Sequence, residues 1–406
     1  MRLLLLMCTG LVTLSAFARI VPSKDPLDGV LDAQLVIIAR HSPVENSKLF
    51  TIEEVFLGNA KKGDSIDLGD FTLSIVQESG PPVVEPITSR TAILLFLQRE
   101  KDSRTRWEPS YFRESFFWVQ TPAEVPLLRR AAERAVDLRR QWEKAAAISD
   151  PRQRVADLWP FLSLPTYGVS FFKHTEVELE KARPAAGEYF AEHFDEMSSN
   201  DRMLLLPGAG AYGSEKLHEK LRRHLDQQRH VYQEFVAGLG RLPSDADWIT
   251  IPKSVRDATG EIYYGLTGLA GFRDRDDLPF IRATALWSAK YHLEDPADAA
   301  IDAFRDMPDQ ANLPVIDHLL KEFLPGRKPG MWNIDSDAER ALCKHKYRET
   351  VPLLAPFVAE ADAGMATESE SCLEEIVGHD LGRNPKAWID WYTSARNPPL
   401  SPAKTH

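Results

Sequence analysis

The chain has 406 residues, of which 43% are hydrophobic and 27% charged. That balance fits two or three packed domains and not a disordered polymer. A formal charge of −11 argues against a nucleic-acid binder, which would carry a basic field.

The first residues read as an export signal. Arg2 precedes the apolar stretch Leu3 to Val12, and Ala16-Phe17-Ala18 fits a small-x-small cleavage site. The stretch is shorter than the ~20 residues that a bilayer span needs, and no later segment reads as a span. Residues before Cys8 lack the small side chains that lipid attachment requires. The expected mature protein begins near Arg19 and is extracytoplasmic, either periplasmic or secreted.

Residues 19–120 read as a small β domain. Leu31 to Arg40, Leu49 to Leu57, Ser65 to Leu68, Phe71 to Val76, Ala92 to Gln98 and Ser115 to Val119 are short runs rich in β-formers. Gly58-Asn59 and Gly63-Asp64 mark turns between them, and the prolines from Pro81 to Pro86 predict an exposed loop. Ala33 to Arg40, Phe50 to Gly58, Gly63 to Ile66 and Ala92 to Leu97 together resemble the netrin-like OB barrel. Tissue inhibitors of metalloproteinases and many exported bacterial proteins share that fold. The inhibitors reach a catalytic zinc through an N-terminal cysteine, and the mature segment here has none. The resemblance therefore implies the fold, with inhibition or ligand capture at the barrel rim as one functional alternative.

Thr121-Pro122-Ala123-Glu124 has the form of a capped helix start and marks the change from strands to helices. Val125, Leu128, Ala132, Ala135, Leu138 and Trp142 then line one helical face. Arg129, Arg130, Arg134, Arg139 and Arg140 on this connecting segment, 121–148, read as a solvated face. Asp150-Pro151 opens a second helix, and Ser214 to Ala237 reads as a long one with Leu217, Leu221, Leu225 and Tyr232 in its stripe.

A repeat follows. Phe272-Arg273-Asp274 precedes Leu278-Pro279-Phe280-Ile281, and Phe304-Arg305-Asp306 precedes Leu313-Pro314-Val315-Ile316. Val351-Pro352-Leu353-Leu354 matches the second half, so the prolines recur at intervals of 35 and 38 residues. One helix pair per repeat, with proline opening the second helix, accounts for the interval. The pattern resembles degenerate HEAT repeats. Leu373 to Gly382, with Trp388 and Trp391-Tyr392, looks like the closing unit of exported bacterial HEAT-repeat proteins, although Val377 stands where threonine is usual. That resemblance implies a capping role for Gly378, Asp380, Trp388 and Trp391, because the last repeat of a stack exposes an apolar face. Residues 397–406 read as a loose tail.

Cys343 and Cys372 are the two cysteines after the signal, and a disulfide or a pair of buried thiols fits them equally.

Candidate chemistry is sparse. Gly208 to Gly213 has a GxGxxG spacing without a preceding βαβ unit, so a flexible inter-helix loop is expected. Asn333, Asp335, Asp337 and Glu339 alternate like calcium ligands, but Ala338 and Lys344 break that pattern and a helix start near Asp335 is expected. His218, His224 and His230 recur at steps of six, which scatters them around a helix and predicts solvated rings. Asp274, Asp276 and Asp277 read as solvated or helix-capping carboxylates.

The expected fold is multidomain, β then α: an OB-like barrel over 19–120, then a HEAT-like α-solenoid over 149–396. No catalytic residue, cofactor site or metal site is expected. The expected function is a non-enzymatic extracytoplasmic scaffold that binds a protein or peptide through its helical surface. A hydrolase with an unrecognised site is the remaining alternative.

Overall fold

A computed structural model describes residues 30–41, 49–68, 92–99, 107–109, 116–118, 125–162, 169–244, 247–324, 334–360 and 362–394. The signal with Ala16 and Ala18, the strand expected at 71–76, the proline-rich loop, the cap at 121–124 and the tail fall outside them. The chain divides into two compact units, Met1–Leu179 and Glu180–His406.

The first unit is built on an antiparallel, barrel-like sheet. Its strands are β1 (Leu35–His41), β2 (Leu49–Leu57), β3 (Ser65–Asp67), β4 (Ala92–Arg99), β5 (Trp107–Pro109) and β6 (Phe116–Trp118), in the order β3-β2-β1-β4-β5 with β6 also on β4. Leu35, Ile37, Ala39, Phe50, Ile52, Ile66, Ile93, Leu95 and Leu97 form the interior. Val36, Ile38, Leu94 and Phe96 point the other way and are also fully buried. Helix α1 (Val125–Ala146) packs across β1, β2 and β4, which is why the two central strands run apolar without alternation from Leu35 to Ala39 and from Ala92 to Leu97. Two register shifts between β1 and β2 bend the sheet. Gly58, at φ +99°, makes the turn after β2, where a Cβ would lie 2.7 Å from Gln34 O.

The arginines of α1 are not merely a solvated face. Arg129 pairs with Glu54 on β2, and Arg139 donates to Val30 O at 2.9 Å and to Ala33 O. Helices α2 (Pro151–Leu158) and α3 (Val169–Lys181) follow. Asp150 caps α2 by accepting from Gln153 N at 2.7 Å. Trp142 Nε1 donates to Thr175 Oγ1 at 2.9 Å, and His174 Nε2 lies 2.8 Å from Asp32 Oδ1. The compact division falls between Leu179 and Glu180, near the end of α3, so α1, α2 and most of α3 belong with the sheet.

The second unit is helical. It contains α4 (Ala185–His193), α5 (Ser199–Leu205), α6 (Glu215–Leu239), α7 (Lys253–Gly271), α8 (Leu278–Lys290), α9 (Glu294–Asp306), α10 (Leu313–Phe323), α11 (Ile334–His345), α12 (Val351–Leu354), α13 (Ala363–Val377) and α14 (Pro385–Ser394). Helices α7, α9, α11 and α13 pack in succession, and α8 packs on α10, so alternate helices form two layers. Leu217, Leu221, Leu225 and Tyr232 of α6 are fully buried, as their spacing predicts. Pro279, Pro314 and Pro352 open α8, α10 and α12. Each of these helices is preceded by a short 3-10 turn whose last residue, Asp277, Asn312 or Thr350, is completely buried.

Candidate functional site

The glycine string is not a flexible loop. Leu206–Tyr212 is a 3-10 helix, Gly213 has φ +64°, and Ser214 caps α6. A Cβ on Gly210 would lie 2.1 Å from the Gly271 backbone, so the glycine is used for close approach to the end of α7. Asp335, Asp337 and Glu339 lie within α11, which begins one residue earlier than expected; Asn333 lies outside the described residues.

The histidines also depart from expectation. His230 is exposed, but His224 is buried and bonds to Glu261, which also accepts from Arg202 Nε and Nη2 at 3.1 Å each. Burial alone would push the Glu261 carboxyl up; hydrogen bonds from His224 and Arg202 hold it below its ordinary value. His218 is half-buried, stacks on Phe272 with ring centroids 4.6 Å apart, and meets the buried carboxylate of Asp277 at 2.6 Å. Steps of six scatter residues around a helix, but α6 has neighbours on several faces, so two of the three rings still find buried acids.

Cys343 and Cys372 are joined as a disulfide between α11 and α13. At the chain's end, Gly378 takes φ +87° and ends α13, and Asp380 Oδ1 accepts from Gly382 N at 2.6 Å. Trp388 is fully buried and donates to Gly382 O at 2.7 Å. Trp391 is half-buried beneath the Arg348 guanidinium, 5.6 Å from its ring centroid. These four residues form one connected corner that seats α14 on α12.

A surface recess of the helical unit lies elsewhere, at one edge of α7. Trp248, Thr259, His292, Leu293, Glu294, Asp295 and Pro296 line a cleft of about 230 Å³. Trp248 belongs to a tight turn, Asp247–Ile249, that presents Ile249 at 83% exposure. Asp247 anchors the turn. Its carboxylate accepts from Arg241 at 2.7 and 2.9 Å, from Ser244 N at 2.7 Å and from Ser244 Oγ at 2.6 Å. The Arg241 bonds, then those of Ser244, hold the Asp247 carboxyl well below the usual range. An exposed isoleucine on so tightly tethered a turn is presented, not frayed.

The opposite wall is the acidic first turn of α9. Glu294, Asp298 and Asp302 follow at helical spacing along one face, and Asp337 of α11 joins them. Burial pushes the Asp298 carboxyl up to about 7, with Asp337 and Asp302 as the next causes. Tyr263 of α7 feels the same charges after its own burial, and its hydroxyl is pushed up as well. The cleft thus sets Trp248 and apolar side chains beside the carboxylates of Glu294 and Asp295, with His292 also in the lining, an arrangement suited to a cation with an apolar stem. No sequence motif announces it. The usable signal is Trp248-Ile249, two large apolar residues beside Asp247 just before α7.

Comparison with known proteins finds no matching family model, curated protein or solved structure.

Proposed function

We propose that this chain is an extracytoplasmic docking protein: a netrin-like barrel joined to a HEAT-like helical stack that holds a basic segment of a protein or peptide partner. The observation that carries the reading is the cleft beside Trp248. Its apolar side, with Ile249 exposed next to it, accepts the stem of a lysine or arginine. Its acidic side, Glu294 and Asp295 backed by Asp298, Asp302 and Asp337, accepts the head group. The formal charge of −11 favours encounter with a basic partner. Among the described residues, no feature favours the barrel-rim alternative.

Fluorescence anisotropy on the full chain tests the reading with short peptides that share an apolar residue and differ in charge. Lysine- or arginine-containing peptides are expected to bind in preference to glutamate-containing ones. Trp248→Ala and the double change Glu294→Gln with Asp295→Asn should each weaken binding by about tenfold, the cost of one desolvated anchor or charge pair. Equal binding of basic and acidic peptides, or indifference to both variants, would refute it.

A further inference from the structure

The repeated 3-10 turns allow one helix pair to be compared with the next. In the second pair, Asp309-x-x-Asn312 encloses a cation: Arg282 Nη1 lies 3.0 Å from Asn312 Oδ1 and 3.6 Å from Asp309 Oδ1. Asn312 is fully used, since its Nδ2 also donates to Met307 O at 3.2 Å. In the first pair the same notch reads Asp274-x-x-Asp277, with an acid in place of the amide.

That acid is completely buried. Its Oδ2 meets His218 Nε2 at 2.6 Å. Its Oδ1 is also buried and receives no hydrogen bond, with Arg222 Nη1 held off at 3.6 Å. Burial pushes the Asp277 carboxyl above its ordinary value despite the neighbouring histidine. Asp274 spends one oxygen on Asp276 N at 3.0 Å. One ligand atom from each of His218, Asp274 and Asp277 lies within 4.8 Å of the other two. The ring of His218 is fixed in place by its stack on Phe272. The notch therefore gathers an imidazole and two carboxylates, and one buried carboxylate oxygen receives no hydrogen bond, its nearest cation being Arg222 at 3.6 Å.

We propose that His218, Asp274 and Asp277 form a binding site for a divalent transition-metal ion of the zinc type. An imidazole and two carboxylates without thiolate suit zinc or its borderline neighbours, whereas magnesium prefers an all-oxygen octahedron. Zinc bonds of about 2.0–2.2 Å require the three ligand atoms to draw together, a movement within side-chain rotation for Asp274 at the surface of the turn. Histidine ligates as the neutral ring, so Nε2 gives up its hydrogen, either to Nδ1 by tautomerisation or to solvent if the ring is protonated. Binding is then weaker in acid. A dication balances both carboxylates, and three protein ligands leave a fourth position to water. The site stands apart from the cleft at Trp248 and does not depend on the docking reading.

Calorimetric titration of the tag-free, chelator-treated full chain with Zn²⁺ and with Mg²⁺ tests the site. One Zn²⁺ per chain is expected, with a raised melting temperature and no response to Mg²⁺. Co²⁺ should give the visible absorption of a four-coordinate nitrogen–oxygen complex. Asp274→Asn, which keeps an acceptor for Asp276 N and removes the charge, should keep the apo melting temperature while weakening Zn²⁺ by tenfold or more, about the scale of losing a supporting ligand contact. His218→Gln should weaken Zn²⁺ at least as much and abolish the Co²⁺ spectrum, whatever it does to the apo melting temperature. Absence of Zn²⁺ binding, or binding that persists unchanged in both variants, would overturn the proposal and leave His218 and Asp277 as a buried structural pair.

Discussion

A single carboxyl shows how far the fold shifts the chemistry of a residue. Asp298 sits on α9 with Asp302 one turn on and Asp337 opposite, and its carboxyl is pushed from 3.8 up to about 7 by burial and then by these like charges. A group that holds its proton more tightly when folded adds stability in full below its unfolded value, and loses that contribution as pH rises through the folded one. The window is therefore about pH 4 to 7, with the neutral protein destabilised relative to the mildly acidic one. Asp298→Asn should raise the melting temperature at pH 8 by a few degrees, corresponding to about 1–2 kcal/mol after screening. It should also flatten the pH dependence of the melting temperature between pH 4 and 7. A melting temperature that falls on this substitution at pH 8 would show that the carboxylate is compensated. The sequence alone exposes half of this arrangement. Residues 298 and 302 are visibly on one helical face, whereas Asp337 is 35 residues beyond Asp302, and only the packing of α11 on α9 brings it close. His218 and Asp277 escape notice for the same reason. Helical spacing reports which residues share a face, not which other helix covers it.

At the scale of elements, the sequence carries more. The prolines that open α8, α10 and α12, the cap at Asp150 and the stripe on α6 are local signals, and the structure places each where the signal does. The strand β5 was missed because Trp107–Pro109 is too short to show alternation. The link between α11 and α13 could not be chosen from spacing, since buried thiols and a disulfide share one pattern. The bond between Cys343 and Cys372 closes a loop of separation 29, which in the chain-entropy account is worth about 3–4 kcal/mol. Reduction, or Cys343→Ser with Cys372→Ser, should lower the melting temperature by roughly 10 °C. Alkylation before reduction should label neither cysteine in the described region, and labelling of both would refute the bond. The seat of α14 depends on two tryptophans unequally. Trp388 is fully buried with its indole N–H satisfied, so Trp388→Ala should cost about 3–5 kcal/mol. Trp391, half-buried under Arg348, should cost about 1 kcal/mol on the same change. Calorimetric unfolding of the two variants checks the order; equal losses would mean that α14 is held by its backbone contacts instead.

At the scale of the whole molecule, the two compact units have opposite dependence on distant sequence. The barrel-like sheet depends on one pairing between strands remote in the chain, β1 with β4, whereas the helical unit grows by packing each helix on one nearby in sequence. Such a layered arrangement leaves long helix edges open to solvent, and the charge on those edges decides what approaches them. Acids exceed bases by 60 to 49 over the chain, and α9 carries five acids against one arginine; two of those acids, Glu294 and Asp295, line the cleft at Trp248. Long-range attraction of a basic partner to that face is screened over about 8 Å at physiological ionic strength, while contact between an apolar stem and Trp248 is not. Raising salt from 50 to 500 mM should therefore slow association of a lysine-bearing peptide by roughly tenfold or more, and change its dissociation much less. Trp248→Ala should produce the converse, leaving association near its original rate while dissociation accelerates. Stopped-flow measurement of both rates separates the two contributions. If salt acted mainly on dissociation, the charge would be working in contact and not at a distance, and the division of labour between the two walls of the cleft would be wrong.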